Sequence, residues 1–195
     1  MRTAKTRTGK LAATLGMTAV AALVSVASGS ATAAPLAPTL YTETSLNLNS
    51  SLAANLSGFV VAAPPNASDS LQKWEAAARF VTLPDGQLAF GWQLKNSATK
   101  KCVSDGGANL RVKETTCEGS PGSATKQVWQ NVGGKSVGGK FYWFWENATT
   151  HRRLQVSGQV TDGVFPTFTV IASDQHANPG TALEALQLWN ERVVS

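Results

Sequence analysis

The sequence predicts an all-β domain of short strands, and three observations lead to this prediction. Turn-forming tripeptides such as Pro84-Asp85-Gly86 and Asn178-Pro179-Gly180 recur along the chain, and short strands between regularly spaced turns are typical of sandwiches and barrels. No segment after residue 40 shows the sustained periodicity of a long amphipathic helix. A Gln-x-Trp tripeptide also occurs three times, which indicates an internal repeat: Gln72-Lys73-Trp74, Gln127-Val128-Trp129 and Gln187-Leu188-Trp189.

The three tripeptides divide the domain into three units. Their glutamines lie 55 and 60 residues apart, so we place the units at about 41–80, 81–135 and 136–195. Each unit has roughly four strands, about twelve in all, and the units must share one core because a single unit cannot bury its apolar face. Two further segments match between units: Phe90 to Asn96 with Phe141 to Asn147, and Lys101-Cys102-Val103 with both Arg152-Arg153-Leu154 and Thr44-Ser45-Leu46.

Residues 1–33 have the pattern of a secretory signal peptide. An uncharged stretch from Leu11 to Val26 precedes the small-residue triplet Ala31-Thr32-Ala33. An uncleaved membrane anchor is the alternative, since this stretch is long for a signal peptide. We expect cleavage, a short disordered tail over residues 34–40, a domain over 41–195, and a secreted protein with no membrane segment after cleavage. Four basic residues precede the apolar stretch: Arg2, Lys5, Arg7 and Lys10.

Removal of the signal peptide changes the charge balance. The chain has 17 Lys and Arg residues against 12 Asp and Glu residues, and four of the basic residues but none of the acids lie in residues 1–33. The mature chain therefore has 13 basic and 12 acidic residues, a net charge of +1. So small a net charge argues against nucleic acid or an anionic membrane as a partner.

The two cysteines, Cys102 and Cys117, are expected to form a disulfide. In an exported protein a close pair of cysteines most simply forms a bond. The alternative, two free thiols, would need a reducing compartment, which the signal peptide argues against.

With these features together, the chain resembles the ricin-type β-trefoil lectin family over nearly all of the mature sequence. The resemblance rests on the three Gln-x-Trp tripeptides, on the spacing of Lys101-Cys102-Val103 and Cys117, and on Asn96 and Asn147 at strand ends. It implies an all-β β-trefoil of three pseudo-repeats. It also implies that each motif is structural, with a tryptophan in the core and a glutamine that ties a loop: Gln72 and Trp74, Gln127 and Trp129, Gln187 and Trp189.

The resemblance implies a non-catalytic protein that binds a polysaccharide or glycan, but the usual galactose-site residues are largely replaced. The family's aspartate positions hold Asn47, Ser104 and Gln155, and the positions before Gln-x-Trp hold Leu71, Lys126 and Leu186. The stacking position falls on Thr115 in the second unit and close to Ile171 in the third. The candidate carbohydrate contacts are Asp105, Asn109 and Lys113 in the second unit, with Asn47 and Asn49 in the first.

Two other functions stay open at this point. A β-trefoil that binds an extracellular protein, for example as a protease inhibitor, would not need the sugar residues, and a structural extracellular protein would not need them either. Trp92 and Trp143 match between units, which favours a core role, whereas an exposed Trp145 ring could stack on a sugar or anchor a protein.

Catalysis, metal binding and cofactors have little support in the sequence. The segment Gly134-Lys135-Ser136-Val137-Gly138 has the spacing of a nucleophile elbow, but it lacks the strand before and the helix after that the elbow needs. His151 and His176 have no ligand-like spacing with the cysteines or acids. We therefore expect no catalytic residue, no metal and no cofactor.

Overall fold

Antiparallel strands make up nearly all of the regular structure in this computed structural model, which describes residues 38–119, 126–160 and 167–194. The expected signal peptide and residues 34–37 of the expected tail lie outside these ranges. Thirteen strands form one sheet, one more than the sequence predicts, because Val112 separates two very short strands. The strands are β1 (Leu40–Ser45), β2 (Ser51–Ala54), β3 (Val60–Ala63), β4 (Trp74–Thr82), β5 (Leu88–Asn96), β6 (Cys102–Ser104), β7 (Leu110–Arg111), β8 (Lys113–Thr115), β9 (Val128–Val137), β10 (Lys140–Asn147), β11 (Arg153–Val160), β12 (Thr167–Ser173) and β13 (Leu188–Val194).

The two helices in the described residues are short. A 3-10 helix covers Ser70–Gln72, and an α-helix, α1, covers Ala182–Gln187. The Asp69 and Thr181 side chains cap them by accepting hydrogen bonds from backbone N–H groups in the first turn. In the described residues no helix has the length and apolarity needed to cross a bilayer.

Six strands close into a ring. β1 pairs with β13 from Leu40↔Val194 to Ser45↔Trp189, and β13 continues through β10 and β9 to β5. β4 pairs with both β5 and β1 and completes the ring. The first and last strands therefore meet along one seam of this barrel, and six paired strands leave no free edge in it.

The long hairpins have the turns that the sequence predicts. In β9–β10, Gly138 and Gly139 have φ angles of 57° and 77°, which suits a two-residue turn with positive φ at both positions. The segment Gly134 to Gly138 thus lies in a strand and a hairpin turn, so it has no strand–turn–helix context for a nucleophile elbow.

The three motif tryptophans lie in the core. Trp74, Trp129 and Trp189 are each 0 % exposed, and each indole donates to a backbone carbonyl. The acceptors are the oxygens of Leu52, Val103 and Leu154, at 3.0, 3.1 and 3.1 Å respectively. These hydrogen bonds satisfy the polar atom of a large buried ring, so each tryptophan packs at a fixed place in the barrel.

The motif glutamines each hold a loop. In every case the amide nitrogen donates to one backbone carbonyl and the amide oxygen accepts from a backbone N–H two residues later. The loop is therefore fixed against the strand that carries the tryptophan. The pairs held are Pro64 and Asn66 by Gln72, Thr116 and Glu118 by Gln127, and Gln175 and Ala177 by Gln187.

The sequence alignment of the first unit is wrong by six residues. The Trp74 indole donates to Leu52, so Leu52 and not Leu46 is the counterpart of Val103 and Leu154. Ser45 instead ends a strand as Asn96 does, because each donates its backbone N–H to a carbonyl five residues later, at 2.8 Å. The counterpart of Ser104 is therefore Ala53 rather than Asn47.

Trp145 is also a core residue, and the suggestion of an exposed ring is wrong. It is 0 % exposed, and its indole donates to Glu43 Oε2 at 3.1 Å. Trp143 lies two residues earlier on β10 and so on the same face. Trp143 and Trp92 are half-buried, and Trp92 packs against the core.

Candidate functional site

Two open cavities contain three of the five carbohydrate candidates. The first, called the β6–β8 cavity, has a volume of about 510 Å³, and the second, called the β11–β12 cavity, has about 390 Å³. Asp105 and Lys113 line the first and Asn47 lines the second. The full linings are Ser104, Asp105, Gly106, Lys113, Thr115, Thr116, Cys117, Glu118 and Lys126 for the β6–β8 cavity, and Asn47, Leu48, Gln155, Val156, Ser157, Gly158, Gln159, Phe168 and Leu186 for the β11–β12 cavity.

Asp105 has a structural role. Its side chain is 1 % exposed, and its Oδ2 accepts from Arg152 Nη1 at 3.0 Å and from Thr150 Oγ1 at 2.6 Å. Oδ1 accepts from the backbone N–H of Gly107 at 2.7 Å. Hydrogen bonds to Asp174 and Asp105 raise the pKa of Arg152 above its ordinary value. Both oxygens of Asp105 are hydrogen-bonded within the protein, which argues against the predicted sugar contact.

Lys113 and Asn109 are separated by the fold. Lys113 is exposed and lies beside Lys126 and Glu118 in the lining of the β6–β8 cavity, which is therefore charged. Asn109 is also exposed, but it lies in neither cavity. It has a positive φ of 55°, and its backbone N–H donates to Ala172 at 2.8 Å, so it shapes the turn that leads to β7.

The disulfide that the sequence predicts is confirmed. Cys102 and Cys117 are bonded, with Cα atoms 5.0 Å apart. The bond ties β6 to the loop that Gln127 holds, so the wall of the β6–β8 cavity is fixed from two sides.

The β11–β12 cavity lies where a bulge interrupts the pairing of two strands. Val156 pairs with Val170, but the next pair is Gln159 with Phe168, so two residues of β11 oppose one residue of β12. A bulge bends the strand that contains it and redirects its side chains. Phe168 is half-buried, since its ring packs against the core and also lines the cavity.

The polar groups of the β11–β12 cavity are neutral amides and a hydroxyl. Gln155 Oε1 accepts from Gln187 Nε2 at 2.9 Å, which fixes this amide and leaves its Nε2 group to donate to a ligand. Asn47, from the β1–β2 turn, and Ser157 add further hydrogen-bonding groups. None of the described residues that line this cavity carries a charge.

Asn47 thus lies with residues of β11 and β12, and Asn49 lies in neither cavity. Asn49 occupies the turn with a positive φ of 45°, as Lys100 and His151 do in the corresponding turns at 60° and 58°. No pattern in the sequence indicates Phe168 as a lining residue, since the family pattern indicated a position close to Ile171 instead.

The side chains of His151 and His176 both lie close to the carboxylate of Glu146. His151 Nδ1 lies 3.2 Å from Glu146 Oε1, and Arg153 Nε lies 3.2 Å from Glu146 Oε2. His176 Nε2 lies 2.7 Å from the carbonyl oxygen of His151. These contacts tie the turn after β10 to the segment after β12, which the sequence could not show. The described residues contain no group of three His, Cys, Asp or Glu side chains placed to hold a metal ion.

Comparisons with known proteins identify the fold. No protein-family model and no curated protein matches the chain. Among solved structures, a designed threefold-symmetric protein, ThreeFoil, matches with a TM-score of 0.53 and 16% identity over 80% of this chain and 98% of its own. An SDF2-like protein from Arabidopsis thaliana matches with a TM-score of 0.54 and 11% identity over 80% and 92% of the two chains.

A ricin B-like lectin from Macrolepiota procera, solved in complex with lactose, is also similar. Its TM-score is 0.51, with 11% identity over 78% of this chain and 93% of the lectin. At such low identity these likenesses show the fold alone. The chain has a ricin B-like β-trefoil fold.

Proposed function

We propose that this protein is a secreted, non-catalytic carbohydrate-binding protein and that the β11–β12 cavity is its binding site. The observation that carries the proposal is the half-buried Phe168 ring beside the neutral amides of Gln155 and Asn47. Binding sites for small molecules are typically concave, with an aromatic or apolar wall and a few polar groups that orient the ligand. A sugar offers both an apolar C–H face for the ring and hydroxyl groups for the amides.

The absence of charge among the described residues of this lining supports a neutral ligand. An uncharged saccharide loses no ionic hydration on entering such a cavity, whereas an anionic ligand would lose hydration without gaining a counter-ion. The β6–β8 cavity contains Lys113, Lys126 and Glu118 and is the less suitable of the two for a neutral sugar. No acid–base pair lines the described part of the β11–β12 cavity, and the proposal needs no reaction there.

We also propose that the domain is built from three pseudo-repeats at about 41–80, 81–135 and 136–195. This is supported by the indole-to-carbonyl hydrogen bond that recurs at Trp74, Trp129 and Trp189. The loop contacts of the three motif glutamines recur in the same way. The Phe168 site would then belong to the third unit, with Asn47 contributed by the first.

The test is binding of the full chain to a panel of neutral oligosaccharides, followed by calorimetric titration of the best ligand. We expect Phe168→Ala to weaken binding about tenfold, since an aromatic contact is worth roughly 1 kcal/mol or more. Phe80→Ala is the matched control, because Phe80 is an exposed ring outside both cavities. A Lys113→Ala variant that loses binding while Phe168→Ala retains it would contradict the assignment, and so would failure to bind any saccharide.

Secretion is tested separately. Expression of the full chain in a secreting host should release a protein whose N-terminus, read by mass spectrometry, is Ala34. Retention of the intact chain in the membrane fraction would instead support the uncleaved anchor.

A further inference from the structure

A carboxylic acid lies inside the barrel at a position that is apolar in the other two units. Glu43, Leu94 and Trp145 each lie two residues before the equivalent strand ends at Ser45, Asn96 and Asn147. All three are buried, and Glu43 is 1 % exposed. A buried carboxylate is costly unless it is paired and hydrogen-bonded.

Among the described residues, Glu43 has one hydrogen-bond partner for its two side-chain oxygens. Oε2 accepts from the Trp145 indole at 3.1 Å, and Oε1 is buried with no hydrogen-bond partner in the part of the chain that the structure describes. Directly opposite on β13 lies Glu191, in the register Glu43↔Glu191. Paired residues on antiparallel strands point to the same face, so a second acid faces the first.

The neighbouring strands supply no positive charge to this face. Arg192 pairs with Thr42 and Glu75 pairs with Leu40, so both project from the opposite face. On the side of Glu43, β4 presents Trp74 opposite Tyr41. β2 meets β1 at Ser51↔Thr44, which also lies on the opposite face, and β10 contributes Trp145 to the face of Glu43. Among the described residues, no lysine, arginine or histidine forms an ion pair with Glu43 or Glu191.

We propose that Glu43 and Glu191 form a proton-linked pair that holds the β1–β13 seam together at acidic pH and weakens it as the pH rises. With at least one proton present, the pair carries one charge or none, and a protonated carboxyl can donate to the other acid. When both are ionised, two like charges lie on one face of adjacent strands with no counter-ion, which favours separation of the strands.

The direction of titration agrees with this geometry. Burial, followed by the charge of Glu191, raises the pKa of Glu43 well above 4.5, and burial raises the pKa of Glu191. A raised pKa in the folded state means that folding takes up protons. The resulting stability is therefore fully present below pH 4.5 and is lost as the pH rises from there through the folded-state pKa. Within that window one linked proton changes the unfolding equilibrium constant by up to about tenfold per pH unit, or about 1.4 kcal/mol.

The experiment is urea unfolding of the full chain at pH values from 4.5 to 8.5, with tryptophan fluorescence as the readout of the folded fraction. We expect the unfolding constant of the wild type to rise with pH and that of Glu43→Gln to change far less. Glu43→Gln should also be the more stable protein at pH 8, since a neutral amide can still accept from Trp145 and can donate to Glu191. The control is Glu75→Gln, an ion-paired glutamate on the adjacent β4, which should retain the wild-type pH dependence. Equal pH dependence in wild type and Glu43→Gln would overturn the proposal.

A second measurement does not depend on any variant. Titration of the wild-type glutamate side-chain carboxyl carbons by NMR should show Glu43 changing at higher pH than the exposed glutamates. Hydrogen exchange, corrected for the intrinsic pH effect, should show amides of β1 and β13 less protected at pH 8 than at pH 5. Titration of Glu43 together with the exposed glutamates would refute the proton-linked pair.

Discussion

Replacing Gln127 by leucine tests the structural role of the repeated motif. The Gln127 side chain is 0 % exposed and makes four hydrogen bonds, to Thr115 Oγ1, the Thr116 carbonyl, the Glu118 N–H and Gln93 Nε2. At about 1 kcal/mol for each bond the loss is about 4 kcal/mol. The better burial of leucine offsets about 1 kcal/mol of this. We therefore expect the variant to be less stable by about 3 kcal/mol, which corresponds to a fall in Tm of roughly 6–12 °C.

The assay is equilibrium unfolding in guanidinium chloride with the disulfide intact, comparing wild type, Gln127→Leu and Gln72→Leu. Gln72 is the matched control, since it occupies the same motif position but holds a loop at Pro64 and Asn66, which are exposed. Water can replace the Gln72 amide as the hydrogen-bond partner of these exposed backbone groups, so Gln72→Leu should lower the stability by only about 1 kcal/mol. A loss below about 1 kcal/mol for Gln127→Leu, or equal losses in both variants, would refute the reasoning.

Three further predictions concern stability and are measured by equilibrium unfolding in guanidinium chloride. Removing the Cys102–Cys117 bond, which closes a separation of 15 residues, should cost about 3 kcal/mol in the chain-entropy model; an unchanged unfolding midpoint would contradict it. Gly91→Ala places a Cβ 2.6 Å from the Trp129 carbonyl oxygen and should cost about 1–3 kcal/mol. Gly158→Ala, where a Cβ meets nothing within 4 Å, should leave stability unchanged. Equal losses of stability for Gly91→Ala and Gly158→Ala would contradict the close contact described at Gly91. Asp105→Ala should lower stability by about 2 kcal/mol, less than for a fully buried pair because Arg152 keeps Asp174, and should leave saccharide affinity unchanged; weaker binding by a stable variant would return Asp105 to the site.

The features that the sequence predicts well have local or repeated signals. The glycine pair at 138–139 adopts positive φ angles that few other residues tolerate. The motif tryptophans are large rings at one place in each unit, and such rings are buried whatever the loops do. The disulfide could be predicted because the two cysteines are close in sequence and the expected compartment is oxidising.

The features that the sequence misses depend on contacts between distant segments. Nothing in the sequence shows that Asp105 is paired, because its partners Thr150 and Arg152 lie 45 and 47 residues further along the chain. Phe168 lines the β11–β12 cavity beside a bulge in β11, and the sequence does not show where the regular pairing of two strands is interrupted. Asn47 follows β1 but lines this cavity together with residues of β11 and β12, a proximity that no sequence alignment can show.

NMR titration of the isotope-labelled protein with its best neutral oligosaccharide tests the central claim most directly. The account predicts that the largest chemical-shift changes occur at Asn47, Gln155 and Phe168, with saturation at the calorimetric Kd. Changes centred on Lys113 and Lys126 in the β6–β8 cavity, with no change at Phe168, would contradict it.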